Sequence, residues 1–389
     1  MEALTKEDWE WIGRHESGDP IRLRLKYHGD ERAEWLILQM ECRRKAAVKL
    51  KKFCDNEQFV FPNALAVEQA TADGIADFHS LLVKRSGKVL DMTSGLGSDV
   101  FALAGKSESV TAIDLNPEVA EALSVNASTL GLKNITVLNE DSVEFIKNTD
   151  ETFDTVFIDP ARRGENGRRL FALADCQPDV VGILDVIMAK TRQLLIKASP
   201  MLDISAVSKE LGRDANFYVV GTPSECKELV IEVPGSDLIQ TVTVTSERIY
   251  DDFSSLLIEE SNPYLQGEPR VGDFLYEPFP SVVKAGIFNT VSDRYGFGQL
   301  DKSTHLYCAE KVNDSFPGRP YKIVEIEPFN KAALKALAAR YPEMSITVKN
   351  LRITAEELKK RMKTRESNLR RLFACTIAGR EVLIVAETI

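Results

Sequence analysis

The chain has 389 residues, 44% of them hydrophobic, and a formal net charge of −10; this length is enough for two or three domains with their own cores. The acidic balance argues against a protein that coats nucleic acid, and the six cysteines show no CxxC pair and no His/Cys spacing for a metal. The first residues carry no basic-then-apolar signal, and no apolar run approaches the ~18 residues of a membrane span, which predicts a cytosolic, reducing location.

Residues 1–80 have the pattern of a helical region. Thr5 and Asp8 are spaced to cap the first helix, and apolar residues recur among basic ones from Ala33 to Phe53. Within this stretch, positions 42–53 carry six cations and no acid. Two interpretations remain open for these cations, a solvated helix face and a surface that contacts a phosphate backbone.

A strand, a glycine turn, a helix and a second strand follow in the order that builds a nucleotide-binding unit. The strand over 88–90 leads into the turn Ser94–Gly97, where missing side chains let a ligand approach backbone N–H groups. Twenty-three residues after Asp91, the second strand ends in Asp114, the spacing at which an acid meets the hydroxyls of an adenosine ribose. The pattern predicts an adenosine-cofactor site.

The details of the turn indicate which cofactor binds there. A dinucleotide fold uses GxGxxG, but Val100 stands at the third glycine position. The turn instead resembles the D-x-G-x-G-x-G pattern of class I S-adenosylmethionine (SAM) methyltransferases, with Asp91, Gly95 and Gly97 in place and Thr93 at the first glycine. An acid at the strand end suits the methionine ammonium of SAM and would repel a pyrophosphate.

That resemblance implies a set of cofactor contacts around the turn. Gln69 and Thr71 lie just before the first strand, where this class often folds its N-terminal segment over the cofactor, although a plain helix cap is an alternative. An acid after the third strand approaches the adenine amino group in such enzymes. His79 is expected to be a surface or packing histidine. The expected cofactor-binding residues are Gln69, Thr71, Asp91, Thr93, Gly95, Gly97, Asp114, Leu115, Asp141 and Ser142.

Helices and apolar strands continue to alternate, which predicts a doubly wound parallel sheet. The fourth strand ends in Asp159-Pro160, so it delivers Asp159 to the carboxyl edge where ligands bind. The last two strands, over 217–221 and 228–233, are joined by a link too short for a parallel crossover. This arrangement predicts the reversed last strand of a seven-stranded methyltransferase sheet.

The Asp-Pro sequence is where the chemistry is expected. Methyl transfer from a sulfonium is an in-line displacement, so the enzyme mainly positions the acceptor. Amine-methylating relatives carry [DNS]PP[YFW], whereas this chain has Ala161 and Arg162 after Asp159 and Pro160. The resemblance implies that Asp159 accepts amine hydrogens, with Pro160 beside it, while the aromatic stacking platform is lost or supplied from elsewhere.

The segment DPARRG also resembles that of uracil-C5 RNA methyltransferases, which need a cysteine nucleophile after strand five. Ala198 occupies the matching position, which disfavours a covalent mechanism, and Cys226 is a poor substitute. Arg162 and Arg163 are expected to bind substrate. Lys197 is expected to touch substrate phosphate, with a capped strand end as the alternative.

The composition changes after position 235, where a strand, a polar stretch and a strand running into a helix near Pro280 are predicted. The last 70 residues are predicted to form a small α+β unit of four strands and two helices. Segments 42–53 and 349–371 each carry a net charge of +6, and 162–169 carries +3, which leaves −25 on the remaining residues. Such segregation favours an anionic partner on one face, although helix solvation explains each segment separately.

The order of the segments FPNALAVEQAT, DMTSGLGSDVFALA, DPARR, SECKE, YEPFPSVVKAG and KNLRITAEELKKRMK resembles bacterial class I methyltransferase-like proteins with a THUMP-like C-terminal domain. The Rossmann-type region is also similar to the trimethylguanosine synthase group. THUMP domains belong to tRNA-modifying enzymes, so the resemblance implies an RNA substrate, such as tRNA or rRNA. If this RNA meets the basic segment 349–371, its expected contacts there are Lys359, Lys360 and Arg361.

The expected fold is therefore α/β, a Rossmann-like doubly wound seven-stranded methyltransferase sheet with an N-terminal helical segment and a small C-terminal α+β domain. The expected regions are 1–80 (helical), 81–235 (SAM-binding), 236–319 (connecting) and 320–389 (THUMP-like). The expected function is non-covalent, SAM-dependent methylation of a base in structured RNA. A protein or small-molecule methyltransferase and a SAM-binding module without chemistry remain as alternatives.

Overall fold

The computed structural model describes residues 4–162, 172–245, 249–256 and 264–389, and at 162 and 250–256 it describes the backbone only. The helices are α1 Lys6–His15, α2 Pro20–Lys26, α3 Glu31–Ala46, α4 Lys51–Cys54, α5 Ala64–Gln69, α6 Asp73–Leu82, α7 Ser98–Ala104, α8 Pro117–Thr129, α9 Ser142–Asn148, α10 Val180–Met188, α11 Ile204–Leu211, α12 Pro280–Ala285, α13 Phe288–Tyr295, α14 Lys331–Arg340 and α15 Ala355–Met362. None of the helices in these ranges is long and apolar enough to cross a membrane.

The strands make one large sheet, a second sheet and a small two-stranded ribbon. Their bounds are β1 Lys88–Asp91, β2 Ser109–Ile113, β3 Ile135–Leu138, β4 Thr155–Ile158, β5 Ala161–Arg162, β6 Cys176–Gln177, β7 Leu194–Ala198, β8 Asn216–Gly221, β9 Cys226–Val233, β10 Leu238–Val244, β11 Ile249–Leu256, β12 Phe274–Pro278, β13 Gly298–Gln299, β14 Tyr307–Ala309, β15 Gly318–Pro328, β16 Ser345–Lys349, β17 Arg370–Ile377 and β18 Arg380–Thr388.

The large sheet runs in the order β11-β10-β8-β9-β7-β4-β1-β2-β3. Strand β1 pairs in parallel with β2 and β4, β2 with β3, and β4 with β7. Strand β9 pairs with β7 antiparallel, with Ala198 opposite Leu229, so the predicted reversal of the last methyltransferase strand is confirmed. The predicted Rossmann-like fold is confirmed as well, with two further strands beyond β8.

The buried strands explain why this sheet forms. All four residues of β4 are buried, and the apolar residues of β1, β2 and β7 join the same interior. Helix α8 begins at Pro117 behind Asn116, whose side chain accepts hydrogen bonds from two backbone amides. At the start of the chain, Thr5 and Asp8 form the predicted capping box. The stretch from Ala33 to Phe53, predicted to lie in a helical region, contains most of α3 and the start of α4.

The cations of segment 42–53 are engaged mainly with nearby parts of the chain. The Arg43 side chain is 9% exposed and donates to the carbonyls of Cys54, Asn56, Glu57 and Phe59. The other contacts join Arg44 to Gly18, Lys45 to Glu68, Lys49 to the Glu68 carbonyl and Lys52 to Asp77. These contacts favour a structural role for the segment over a phosphate-binding one, because most of its donors already have partners.

The chain divides into two compact units, the first comprising 1–217, 228–236 and 246–249, and the second 218–227, 237–245 and 250–389. In the second unit, a sheet runs in the order β13-β14-β12-β15-β18-β17-β16. The four strands and two helices predicted for the last 70 residues are all present, and α14 and α15 pack Leu337 and Leu358 on the sheet. Strand β11 occupies part of the stretch for which the sequence predicts only a polar character.

Candidate active site

The turn between β1 and α7 needs glycine at two positions. Gly95 and Gly97 have φ values of +51° and +95°, in the left-handed region that side chains disfavour. A Cβ atom on Gly97 would lie 2.3 Å from the Leu123 side chain and 2.9 Å from the Phe101 ring. Gly97 is therefore required by packing as well as by its backbone conformation, whereas the space beside Gly95 is open at the carboxyl edge of β1.

Asp114, directly after β2, is fixed beside this turn. Its Oδ2 atom accepts a hydrogen bond from the Gly95 amide at 2.9 Å, and its Oδ1 atom accepts one from the Asn116 amide at 2.8 Å. The Asn139 side chain donates to the Asp114 carbonyl at 2.9 Å, which ties the end of β3 to the end of β2. The carboxylate is thus held in one orientation at the edge where the sequence places the ribose.

The other expected cofactor residues lie in different settings. Asp141 is exposed and caps α9, accepting from the Val143 amide at 2.8 Å, whereas Ser142 is buried. Leu115 is 70% exposed, and Gln69 is exposed at the end of α5. Cofactor contacts at these four positions stay predictions.

Thr93 joins the ends of β1 and β4. Its amide donates to Asp91 Oδ1 at 2.9 Å, and its hydroxyl accepts from the Asp159 amide at 2.6 Å. Strands β1 and β4 are neighbours, and the chain winds outward from this pair in both directions, which is where open α/β sheets bind ligands. The departure from glycine at this position therefore has a structural reason, since glycine has no hydroxyl to hold the Asp159 backbone.

Lys197 pairs with Asp159. The Lys197 Nζ atom donates to Asp159 Oδ2 at 2.6 Å and to the Thr71 hydroxyl at 3.0 Å, and its side chain is only 12% exposed. A substrate phosphate and a capped strand end were the two expectations for Lys197. Its contacts with Asp159 and Thr71 make Lys197 the cationic partner of Asp159 in the structure, and a phosphate contact stays a prediction.

Behind this ion pair lies a closed circuit of polar side chains, named here the buried ring: Thr71, His79, Asp99, Lys197 and Glu228. His79 is fully buried, with Nδ1 2.7 Å from Asp99 Oδ1 and Nε2 2.5 Å from Glu228 Oε1. Thr71 donates to Asp99 Oδ2 at 2.6 Å, and Glu228 Oε2 lies 3.9 Å from Lys197 Nζ. The Thr71 hydroxyl is thus engaged in the ring, and a cofactor contact of Thr71 stays a prediction.

The ring alters the protonation of its members. Burial alone would lower the pKa of His79, but the negative charges of Glu228 and Asp99 outweigh it and raise that pKa to about 10. Burial raises the pKa of Asp159 against the pull of Lys197. Burial also raises the pKa of Asp91 well above its usual range, and the neighbouring acids add to this effect.

The site fits a cationic cofactor. Four carboxylates, on Asp99, Asp114, Asp159 and Glu228, accompany two cations, on His79 and Lys197, so the site is net negative even without Asp91. The sulfonium and ammonium groups of SAM would be stabilised in such a site, whereas a pyrophosphate would be repelled. The nearly buried Asp91 carboxylate, with one hydrogen bond from Thr93, is suited to an ammonium that would restore its charge.

The remaining expected substrate residues are placed as follows. Pro160 is buried beside Asp159; the Arg162 side chain and all of Arg163 lie outside the described residues. Lys359, Lys360 and Arg361 lie in the last turn of α15, in the second compact unit, with Lys359 paired to Glu366. Ala198 is a buried residue of β7, so no nucleophile stands at that position.

The sequence did not predict three residues of the buried ring as part of the site. His79 was expected to be a surface or packing histidine, and no role was predicted for Asp99 or Glu228. A signal was present, because Glu228 comes directly before the buried apolar residues Leu229, Val230 and Ile231 on β9, where an acid needs a partner. Which partner it has depends on α6, which is distant in sequence.

Three regions of the chain match known protein families. Residues 67–172 match the family described as conserved hypothetical protein 95. Residues 318–388 match a THUMP domain-like family, and residues 274–317 match a ferredoxin-like domain.

Two similar proteins cover nearly the whole chain, and a third covers a short part of it. An uncharacterized S-adenosylmethionine-dependent methyltransferase of Mycobacterium tuberculosis is 27% identical over 349 residues, which is 87% of this chain and 91% of the relative. A Francisella tularensis ribosomal RNA small subunit methyltransferase J is 34% identical over 80 residues, or 18% of this chain and 33% of that protein. The crystal structure of a Porphyromonas gingivalis W83 protein assigned as a methyltransferase superposes with a TM-score of 0.86 at 27% identity, covering 98% of this chain and 97% of that one.

The sheet order, the reversed strand and the glycine turn between two strand-end acids define a class I methyltransferase. Within that class, the chain is similar to bacterial S-adenosylmethionine-dependent methyltransferases, and its C-terminal residues match a THUMP domain-like family.

Proposed function

We propose that this methyltransferase modifies an exocyclic amine on a base of structured RNA, without a covalent enzyme–base intermediate. The observation that carries the proposal is the position of Asp159. Its backbone is held by Thr93 and its carboxylate by Lys197, at the edge of the sheet next to the glycine turn. The Asp159 side chain is 37% exposed, so it is fixed and still accessible to an acceptor.

SAM supplies an electrophilic methyl group on a positively charged sulfur. The chain's own residues would hold the cofactor at three places. Asp114 would bind the ribose, the backbone of Gly95 and Gly97 would lie against the methionine end, and Asp91 would bind the ammonium. Asp141 and Ser142 remain the candidates for the adenine. Each of these roles follows from the position of the residue at the carboxyl edge of β1, β2 or β3.

Asp159 has two tasks in this proposal. Before transfer, its carboxylate accepts hydrogen bonds from the amine and so directs the nitrogen lone pair. As the nitrogen–carbon bond forms and the carbon–sulfur bond breaks, the nitrogen becomes positively charged and must lose one proton, which the Asp159 carboxylate is placed to take. Lys197 opposes the effect of burial on the pKa of Asp159 and so favours the ionised carboxylate. Ala198 stands where a covalent mechanism would need a cysteine, in agreement with this route.

RNA is the proposed substrate for two reasons. The relatives include proteins named as a ribosomal RNA methyltransferase and as an RNA methyltransferase, the latter from Mycoplasma mobile. The THUMP-like domain contains segment 349–371 with its net charge of +6, on which Lys360 and Arg361 are exposed. A basic surface of this kind suits a phosphate backbone. We further propose a cytoplasmic location, because the proposed substrate is a ribosomal or transfer RNA and one relative is named as a ribosomal RNA methyltransferase.

Mass spectrometry of nucleosides from total RNA tests the proposal directly. RNA from a strain without the gene should lack one N-methylated nucleoside that the parent strain contains, and the gene on a plasmid should restore it. If methylated product appears only in protein or in a small molecule, the RNA assignment is wrong. If SAM binds but no methylated product of any class forms, the chain is a binding module.

A further inference from the structure

Lys197 lies between two carboxylates, and only one of them holds it closely. Its Nζ atom is 2.6 Å from Asp159 Oδ2 and 3.9 Å from Glu228 Oε2. Glu228 is nearly buried, and a buried carboxylate attracts a nearby ammonium strongly. A third group must therefore stop Glu228 from drawing Lys197 away from Asp159.

His79 is the group that occupies Glu228. Its two ring nitrogens face carboxylate oxygens, Asp99 Oδ1 at 2.7 Å and Glu228 Oε1 at 2.5 Å. An ionised carboxylate only accepts hydrogen bonds, so both nitrogens must donate and the ring is an imidazolium. Its positive charge balances Glu228 from the side opposite Lys197.

A gain in folding stability does not explain why the buried ring contains charged residues. Taking charged groups out of water costs more than many buried ion pairs return, and an apolar replacement is often as stable. The ring nevertheless buries His79 and most of Asp99, Lys197 and Glu228 next to the acid proposed to bind the methyl acceptor. Because the buried ring lies next to Asp159, we expect it to serve the reaction and not the stability of the fold.

We propose that His79 is a positioning residue for methyl transfer, which acts by neutralising Glu228 and so leaves Lys197 paired with Asp159. This inference rests on the proposed role of Asp159. With His79 charged, three carboxylates share two cations; with a neutral residue at 79, the three would compete for Lys197 alone. Glu228 would then gain the ammonium and Asp159 would lose its partner.

The test compares His79→Gln, Glu228→Gln and the double variant, with His28→Gln as a matched control on an exposed histidine. In His79→Gln, crystal structures should show Lys197 moved from Asp159 to Glu228. Methyl transfer from labelled SAM to RNA of the gene-deletion strain should fall about a hundred-fold, the cost of a misplaced reacting group. SAM affinity by calorimetry should change much less than the transfer rate in every variant, because none of the substituted residues lies in the glycine turn or is the ribose-binding Asp114.

The double variant separates positioning from simple loss of structure. Neutral Glu228 no longer competes for Lys197, so adding Glu228→Gln to His79→Gln should restore the Lys197–Asp159 pair and recover about ten-fold or more of the lost rate. Additive losses in the double variant, or Lys197 remaining on Asp159 in His79→Gln, would overturn the proposal.

Two further measurements keep the proposal testable. If His79→Gln does not fold, nitrogen NMR of the parent protein at pH 8.5 can detect whether both ring nitrogens of His79 are protonated. The proposal requires an imidazolium at this pH, and a neutral ring would contradict it. If Asp159→Ala keeps full methyl transfer while His79→Gln still displaces Lys197, the proposed role of Asp159 is wrong and the effect of His79 on Lys197 stands.

Discussion

The Lys197 ammonium lies 2.6 Å from the Asp159 carboxylate, and the two groups come from the ends of neighbouring parallel strands, β7 and β4. Lys197 is the principal cation that acts on Asp159, while Asp99 and Glu228 act in the opposite sense. The protonation of Asp159, and with it the ability to accept amine hydrogens, therefore depends on this pair.

Removing the Lys197 charge should move the pH profile of methyl transfer. Lys197 lowers the pKa of Asp159, so in Lys197→Met that pKa rises and Asp159 becomes protonated at higher pH. The acid limb of the rate profile should shift upward by about 1 to 3 pH units, with a lower rate at neutral pH. Initial rates between pH 5.5 and 9 measure this. Lys209→Met, at an exposed position of α11, is the control. An unmoved acid limb in Lys197→Met would show that Lys197 does not act on the reacting acid.

Asp114 should contribute strongly to SAM binding. Its carboxylate is held by Gly95 and Asn116 at the position expected for the ribose, so Asp114→Ala removes a charged acceptor and loosens the turn. The expected cost is about 1.5 to 3 kcal/mol, or roughly ten- to a hundred-fold in affinity by calorimetry. Glu118→Ala, exposed on α8, should bind like the parent. Equal affinity in Asp114→Ala, or tighter binding of NAD than of SAM to the parent, would contradict the cofactor assignment.

Arg43 should matter for folding and not for RNA. Arg43→Ala leaves several backbone carbonyls between Cys54 and Phe59 without their donor, including a buried one at Phe59. The free energy of unfolding in denaturant should fall by roughly 2 to 4 kcal/mol. Lys51→Ala, at an exposed cation of the same segment, should change it little. Reduced RNA affinity with unchanged stability in Arg43→Ala would instead support the phosphate-binding interpretation of segment 42–53.

The exposed cations of α15 should set the salt dependence of RNA binding. Each neutralised phosphate makes the logarithm of affinity fall by about 0.7 to 0.9 per unit of the logarithm of salt. Reversing Lys359, Lys360 and Arg361 to glutamate should weaken binding and flatten that slope by up to about 2 to 3, without changing SAM affinity. Reversing Arg14, Arg22 and Lys26 in the N-terminal helices controls for net charge. An unchanged slope in the α15 variant would remove the electrostatic support for RNA.

The fold and the strand-end acids could be predicted because they depend on local patterns. Strands such as β4 are apolar throughout, and parallel strands bring Asp91, Asp114 and Asp159 to one edge whatever else the chain does. The short link before β9 dictated its reversal.

The buried ring could not be predicted in the same way. His79 meets Glu228 across 149 positions, and one partner sits on a helix while the other lies on the reversed strand. The structural role of Arg43 could not be predicted either. A cation within a run of cations has the pattern of a solvated helix face, and the carbonyl partners of Arg43 become apparent only once the loop that follows it is packed. Strand β11 was missed because its sequence, IYDDFSSL, is too polar to indicate a strand.

The most direct test of the central claim is methyl transfer by purified Asp159→Ala to RNA from the gene-deletion strain, with SAM affinity measured on the same sample. The account predicts no transfer above background, SAM affinity close to that of the parent, and full activity in the control Asp185→Ala, whose side chain is 89% exposed. It also predicts that RNA containing 5-fluorouracil traps no covalent adduct with the parent enzyme. Transfer that survives Asp159→Ala, or a trapped adduct, would contradict it.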